Sequence, residues 1–135
     1  MPASFFDSNV LLYFASSDPA KAARAEQVMR PGGVISVQVL NEIASVARRK
    51  MKLSWAETHD VLGLVRAQFQ VEPLTIETHE LGVELAERHR LSIYDSTIVA
   101  SAILAECDTL LSEDMHDGLV VDGRLTIRNP FRSPN

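Results

Sequence analysis

Apolar residues follow two rhythms along this chain. Five runs are short and nearly unbroken: "SFFD" at 4–7, "VISVQ" at 34–38, "FQVEPL" at 69–74, "CDTLLS" at 107–112 and "RLTIRN" at 124–129. Such runs predict brief buried strands, the second leading into a helix and the last a short edge strand. Between them lie longer segments of helical period. Within 37–50, Val39, Ile43 and Val46 share one stripe, and "RRK" at the far end suits the negative pole of a helix dipole. Within 94–106, Ile98, Val99 and Ala102 do the same. Start signals agree with this division. Asp18-Pro19 sets a cap before a proline, opening a helical segment that ends near "RPGG". Ser54-Trp55-Ala56-Glu57 and Ser92-Ile93-Tyr94-Asp95 both have capping-box spacing, the second with Asp in place of Glu.

Strands alternating with helices predict βαβ units: an α/β chain of three layers, α/β/α, around a central, mostly parallel sheet of four to five strands. No repeat, low-complexity segment or linker interrupts the pattern, so 1–135 reads as a single domain with a frayed tail at 132–135. A chain of this length buries about two-thirds of its unfolded surface. No apolar run approaches the ~20 residues of a membrane span, and "MPASFFDSNV" lacks the basic start of a signal peptide. Cys107, the one cysteine, is expected to be a buried apolar side chain, and a reducing cytoplasm is the expected compartment.

Charge first points away from nucleic acid: 13 basic against 18 acidic side chains give −5. That inference depends on where the acids sit. If four are committed to metal ions, 13 stand against 14 and the remainder is nearly neutral.

Four acids qualify. In open parallel sheets, ligands bind beyond the carboxyl ends of the strands. Asp7 follows the first predicted strand and Asp114, in "LLSEDM", the fourth. Glu42 shares a helical face with Val39 and Val46, and Asp95 shares one with Ile98, Val99 and Ala102. An acid on a core-facing stripe is costly unless something pairs with it. Each also has an ordinary explanation. Asp7 suits a cap or Asx-turn with Ser8 and Asn9, and Asp95 suits completion of its capping box. Glu42 is spaced to pair with Arg49, and Asp114 sits in a solvated acidic loop beside Glu113 and Asp117. None of these explains why four acids should meet at one sheet edge. Clustered carboxylates repel unless a cation neutralises them, and oxygen-only ligation selects Mg²⁺ or Mn²⁺. His59, His79, His89 and His116 lack paired zinc spacing, and only His116 lies near the acids, as a surface or supporting residue. A hydrated Mg²⁺ suits hydrolysis of a phosphodiester.

"FFDSNVLLY", Glu42 in "VLNEIAS", "LSIYDSTIVASA" and "LLSEDM" resemble, in order and interval, the successive motifs of PIN-domain ribonucleases, and more closely the VapC-type toxins of toxin–antitoxin pairs. The resemblance runs from about residue 4 to "RNPF" at 128–131. It implies an endoribonuclease dependent on Mg²⁺ or Mn²⁺ that cuts tRNA or ribosomal RNA and so inhibits translation. It also implies a homodimer and a small antitoxin whose tail occludes the acidic site. By position, Asp7, Glu42, Asp95 and Asp114 match the four metal-binding catalytic acids. Ser8 and Ser112 match the hydroxyls beside the first and last, Asn9 supports the first, and Asp117 is a possible extra acid. The first motif often carries Thr where this chain has Ser8, which keeps the hydroxyl.

RNA needs a basic track. Arg48, Arg49, Lys50 and Lys52 in "RRKMK" are the first candidates, with "RHR" at 88–90 and Arg124, Arg128 and Arg132 behind them, although "RRKMK" equally suits a helix end. Trp55, Leu62, Val65 and Phe69 suit either a partner surface or the domain's own core. Two rivals of other classes fit less well. A phosphoacceptor domain wants an Asp closing the third strand, where this chain has "VEPL", and a Lys after the last. A non-catalytic binding module would bind without metal-dependent cleavage.

Overall fold

A computed structural model describes residues 3–132. The expected frayed tail therefore lies, from 133 on, outside the described residues. Strand β1 (Ser4–Phe6) leads into a short helix α1 (Ser8–Leu12), a 3₁₀ turn (Tyr13–Ala15) and α2 (Pro19–Met29). Then come β2 (Gly33–Ser36), α3 (Val37–Arg49), α4 (Trp55–Gln68), β3 (Phe69–Glu72), α5 (Ile76–His89) and α6 (Ile93–Leu104). The chain closes with β4 (Thr109–Leu111), β5 (Val120–Val121) and β6 (Leu125–Arg128).

The strands lie in the order β3-β2-β1-β4-β6-β5, all parallel except β5, which runs antiparallel to β6. Adjacent Phe5 and Phe6, pointing to opposite faces, are 0% and 1% exposed, so both faces of the sheet are covered. Leu110 and Ile127, in register with Phe5, continue its buried face across β4 and β6, and Ile35 on β2, level with Phe6, is buried on the other. Gly33 is required at the base of β2, where a Cβ would sit 2.6 Å from the Phe6 ring and 2.7 Å from the Ser4 carbonyl. Cys107 is buried as expected, and burial pushes its thiol up to about 11.

Two expectations are corrected. The sheet has six strands rather than four to five, and "RLTIRN" forms an interior strand, with β5 at the edge instead. The cause is a three-residue hairpin loop, Asp122 to Arg124, built on a tight turn. Asp122 and Gly123 both hold positive φ (54° and 65°), and the Arg124 N–H reaches the Val121 carbonyl at 3.0 Å. Asp-Gly is the residue pair such a turn favours, and it folds Val120–Val121 back along β6.

Candidate active site at the carboxyl edge of the sheet

The sheet ends in a row of polar residues. Ser36 pairs with Glu72 in register. Carrying the β1 pairings Phe5–Val34 and Phe6–Leu111 forward sets Asp7 between Ser36 on β2 and Ser112 after β4. The Asp7 N–H donates to the Leu111 carbonyl at 2.9 Å, which fixes the end of β1.

Asp7 is both a helix cap and a buried acid. Its backbone is extended (φ −77°, ψ 154°), and its Oδ1 accepts the Ser8 N–H at 2.8 Å. Its Oδ2 accepts the Ser112 hydroxyl at 2.9 Å and the Asn9 amide at 3.4 Å. The residue is 7% exposed, and burial raises its carboxyl to about 6 despite the Ser112 and Ser8 bonds that pull it down. Repulsion from Glu42 and Asp95 acts in the same direction as burial.

Glu42, half-buried on α3, accepts the Ser8 hydroxyl at 2.8 Å and the Gln38 amide at 3.4 Å. Ser8 therefore gives its N–H to one acid and its hydroxyl to another, while the spacing with Arg49 yields no ion pair among the described residues. Asp95 opens α6 half-buried, with its N–H on the Ser92 hydroxyl at 3.0 Å. Burial, then repulsion from Asp114, raises its carboxyl. Asp114 is exposed on the loop after β4. Asn9 ties this loop to α1: its carbonyl accepts the Glu113 N–H at 3.1 Å, and its amide reaches Ser112 Oγ at 3.5 Å.

Asp117 is engaged elsewhere, accepting the Asn129 N–H at 2.8 Å and Arg132 Nη1 at 3.4 Å. His116 is exposed. Of the basic residues, Arg48 is committed to the turn after α3. Its guanidinium lies 4.1 Å from the Trp55 ring centroid, and Nη1 donates to the Leu53 carbonyl at 2.6 Å. Arg49 and Lys52 are exposed. Lys50 lines a cleft of about 450 Å³ with Ser8, Asn9, Tyr13, Glu113 and Asp114.

A larger groove, about 620 Å³ and mostly apolar, lies away from the acids between α2 and α4, with Phe14, Ala22, Leu64 and Phe69 in its lining. Val65 and Phe69 belong to the core and Leu62 packs against it, whereas Trp55 is exposed. Ser36 and Gln38 were not singled out by sequence reasoning. Their signal was position, Ser36 closing a strand beside Asp7 and Gln38 one turn before Glu42.

The acids form overlapping pairs rather than a closed cage: Asp7 with Glu42 and with Asp95, and Asp95 with Asp114. Among the described residues no three Asp, Glu, His or Cys side chains converge on one point. The donor set is all oxygen. Mg²⁺ takes one or two carboxylates and keeps several waters, so this set fits such an ion.

The profile of the PIN domain family matches residues 4–116. The chain belongs to the PIN domain family. Its sequence matches no curated protein. This PIN domain is similar to a toxin–antitoxin complex from Klebsiella pneumoniae at 20% identity, covering 95% of this chain and 98% of that one, with a TM-score of 0.74. It is also similar to VapBC2 from Rickettsia felis, bound to a promoter DNA fragment, at 19% identity, covering 93% and 97%, with a TM-score of 0.65. A third similar structure is Mycobacterium tuberculosis VapC20, a toxin that cleaves the sarcin–ricin loop, at 18% identity, covering 80% and 87%, with a TM-score of 0.62.

Proposed function

We propose that this PIN domain is an endoribonuclease dependent on Mg²⁺ or Mn²⁺, and the toxin of a toxin–antitoxin pair. The observation that carries this reading is Asp7, a buried carboxylate raised to about 6, next to two further acids and without a basic partner among the described residues. Such an arrangement costs stability until a cation neutralises it. Asp7, Asp95 and Glu42 would hold one ion directly or through water, and Asp114 would assist with this ion or a second. A bound ion would supply an acidified water and offset charge on the phosphate. Ser8, Ser112 and Asn9 keep the carboxylates aimed, since each bonds to at least one acid or to the loop that carries Asp114. Lys50, at the rim of the neighbouring cleft, would meet the RNA backbone.

The similar structures solved as toxin–antitoxin complexes support an antitoxin as partner. The substrate class is tRNA or ribosomal RNA. A homodimer in the cytoplasm completes the reading. Among the described residues no helix is long and apolar enough to cross a membrane. Purified protein incubated with total RNA should create new 5′ ends with Mg²⁺ or Mn²⁺ and none with EDTA. Equal cleavage in EDTA would overturn the metal-dependent reading.

A further inference from the structure

Two serines stand level with Asp7 in register, Ser36 closing β2 and Ser112 just after β4, and only the Ser112 hydroxyl is bonded. Ser112 donates to Asp7 Oδ2 at 2.9 Å. Ser36 occupies the matching place on β2, two residues beyond the Phe5–Val34 pairing. It is 0% exposed, and its Oγ has no hydrogen-bond partner among the described residues. Ser36 is also the N-cap of α3, where a serine ordinarily accepts an N–H from the first turn, and that bond is absent here. A buried hydroxyl that neither caps nor pairs lowers stability, a cost alanine would avoid. On the other side of the comparison, Asp7 has acceptor capacity left. Its Oδ1 takes only the Ser8 N–H, while Oδ2 takes Ser112 and Asn9, and an ionised carboxylate offers about four acceptor sites.

We propose that Ser36 is a positioning residue for Asp7: its hydroxyl waits unpartnered beside the carboxylate and becomes its donor when a divalent cation is bound. This inference rests on the metal-dependent reading above. Ser36 touches neither metal nor RNA in this role. It fixes the Asp7 carboxylate from the β2 side as Ser112 fixes it from the β4 side. Ser101 supplies an internal control. Its Oγ is likewise buried and unpartnered, but it lies in the last turn of α6, where it lines a small cavity with Glu72, Thr75 and Thr78.

The test is thermal unfolding of the wild type, Ser36→Ala, Ser36→Cys and Ser101→Ala, in EDTA and with Mn²⁺ alone, alongside RNA cleavage. Ser36→Ala should melt at or above the wild type in EDTA, because no bond is lost. Its Mn²⁺-induced rise in Tm should be roughly halved, and cleavage should fall about tenfold or more, the scale of a lost bond to a charged group. Ser36→Cys, similar in size and a weak donor, should fall between the two. Ser101→Ala should keep the wild-type response to Mn²⁺. The proposal is overturned if Ser36→Ala melts several degrees lower in EDTA or does not fold, since the hydroxyl would then be structural. It is also overturned if that variant keeps the full Mn²⁺ response and full cleavage. A wild type that neither responds to Mn²⁺ nor cleaves RNA would overturn the nuclease reading and this inference with it. A normal wild type with an indistinguishable Ser36→Ala would overturn this inference alone.

Discussion

Two sets of acids in this molecule are built from the same side chains and wired in opposite ways. Glu113, Asp117 and Asp122 each face a base: Lys21 at 2.9 Å, Arg132 at 3.4 Å, and Arg88 in a two-pronged contact at 2.8 and 3.0 Å. The bonds from Arg88 hold Asp122 below its ordinary value. Burial pushes Glu113 up, but bonds from Tyr13 and Lys21 outweigh it and hold the carboxyl low. Asp7, Glu42, Asp95 and Asp114 form no ion pair among the described residues, and Asp7 and Asp95 are raised. The first set is satisfied by the chain itself. The second is left without a counter-charge among the described residues, and this difference separates the two sets better than residue type or sequence spacing.

The largest break in that comparison should come from Asp7→Asn. If Asp7 holds the proposed ion, replacing its carboxylate should reduce RNA cleavage by about a thousandfold, the scale of several kcal/mol of charge stabilisation. The same variant should be more stable than the wild type without metal. A carboxyl raised from 3.8 to about 6 by folding favours the protonated form, so its stabilising contribution is complete below pH 3.8 and is lost as pH rises through about 6. At pH 7.5 the wild type carries a penalty of about 2–3 kcal/mol, which an uncharged asparagine with similar capping ability removes. Melting curves in EDTA at pH 7.5 should place Asp7→Asn several degrees higher. A lower Tm would show that the Asp7 charge is already satisfied.

Metal should reverse the penalty in the wild type. Mn²⁺ should raise Tm at pH 7.5, and the rise should shrink below pH 6, where the cation competes with a proton on Asp7 for up to about tenfold in affinity per pH unit. Calorimetric titration at pH 7.5 and 5.5 checks this directly. A response independent of pH would place the ion away from Asp7.

Asp122→Asn should sharpen the comparison from the other side. Asp122 has its folded value lowered, so the stability it contributes is present above its unfolded value and is lost as pH falls through the folded one. The pair with Arg88 is partly exposed, so removing it should lower Tm by no more than about 3 °C, with RNA cleavage and the Mn²⁺ response unchanged. A fall in cleavage would join this acid to the functional set.

How far this division could be read from the sequence depended on what each residue needed. Asp7 and Asp114 were legible because strand ends in a parallel sheet lie at a predictable edge, and Asp95 because its cap signal fixed the start of a helix. Glu42 was legible from its spacing with Val39, although Val46 on the same stripe is only half-buried. Hydrogen-bond direction was not legible: Ser8 serves Glu42 with its hydroxyl and Asp7 with its N–H, a split that depends on how α3 packs beside α1. Nor was the β5–β6 hairpin read, although Asp122-Gly123 carried its signal, because a two-residue strand has no periodicity to detect. The bases were ambiguous for a similar reason. "RRKMK" marks a helix end and a basic patch equally well, and only packing separates Arg48, held on Trp55, from its neighbours.

That separation gives the smallest and most specific expectation. Lys50 lines the cleft shared by Glu113 and Asp114, and no acid pairs with it among the described residues. If RNA enters there, Lys50→Ala should weaken binding a few-fold and reduce the slope of log affinity against log salt by about one, as expected for one lost phosphate contact. Arg48→Ala should instead lower Tm, because it removes the stack on Trp55 and the bond to the Leu53 carbonyl, while leaving the salt slope unchanged. Binding of a short RNA to the wild type and both variants in EDTA, over a series of salt concentrations, separates the two roles without any dependence on cleavage. Should Arg48→Ala carry the change in slope and Lys50→Ala leave it untouched, the substrate would approach over Trp55 rather than through the acidic cleft, and the unpaired lysine would have no part in holding it.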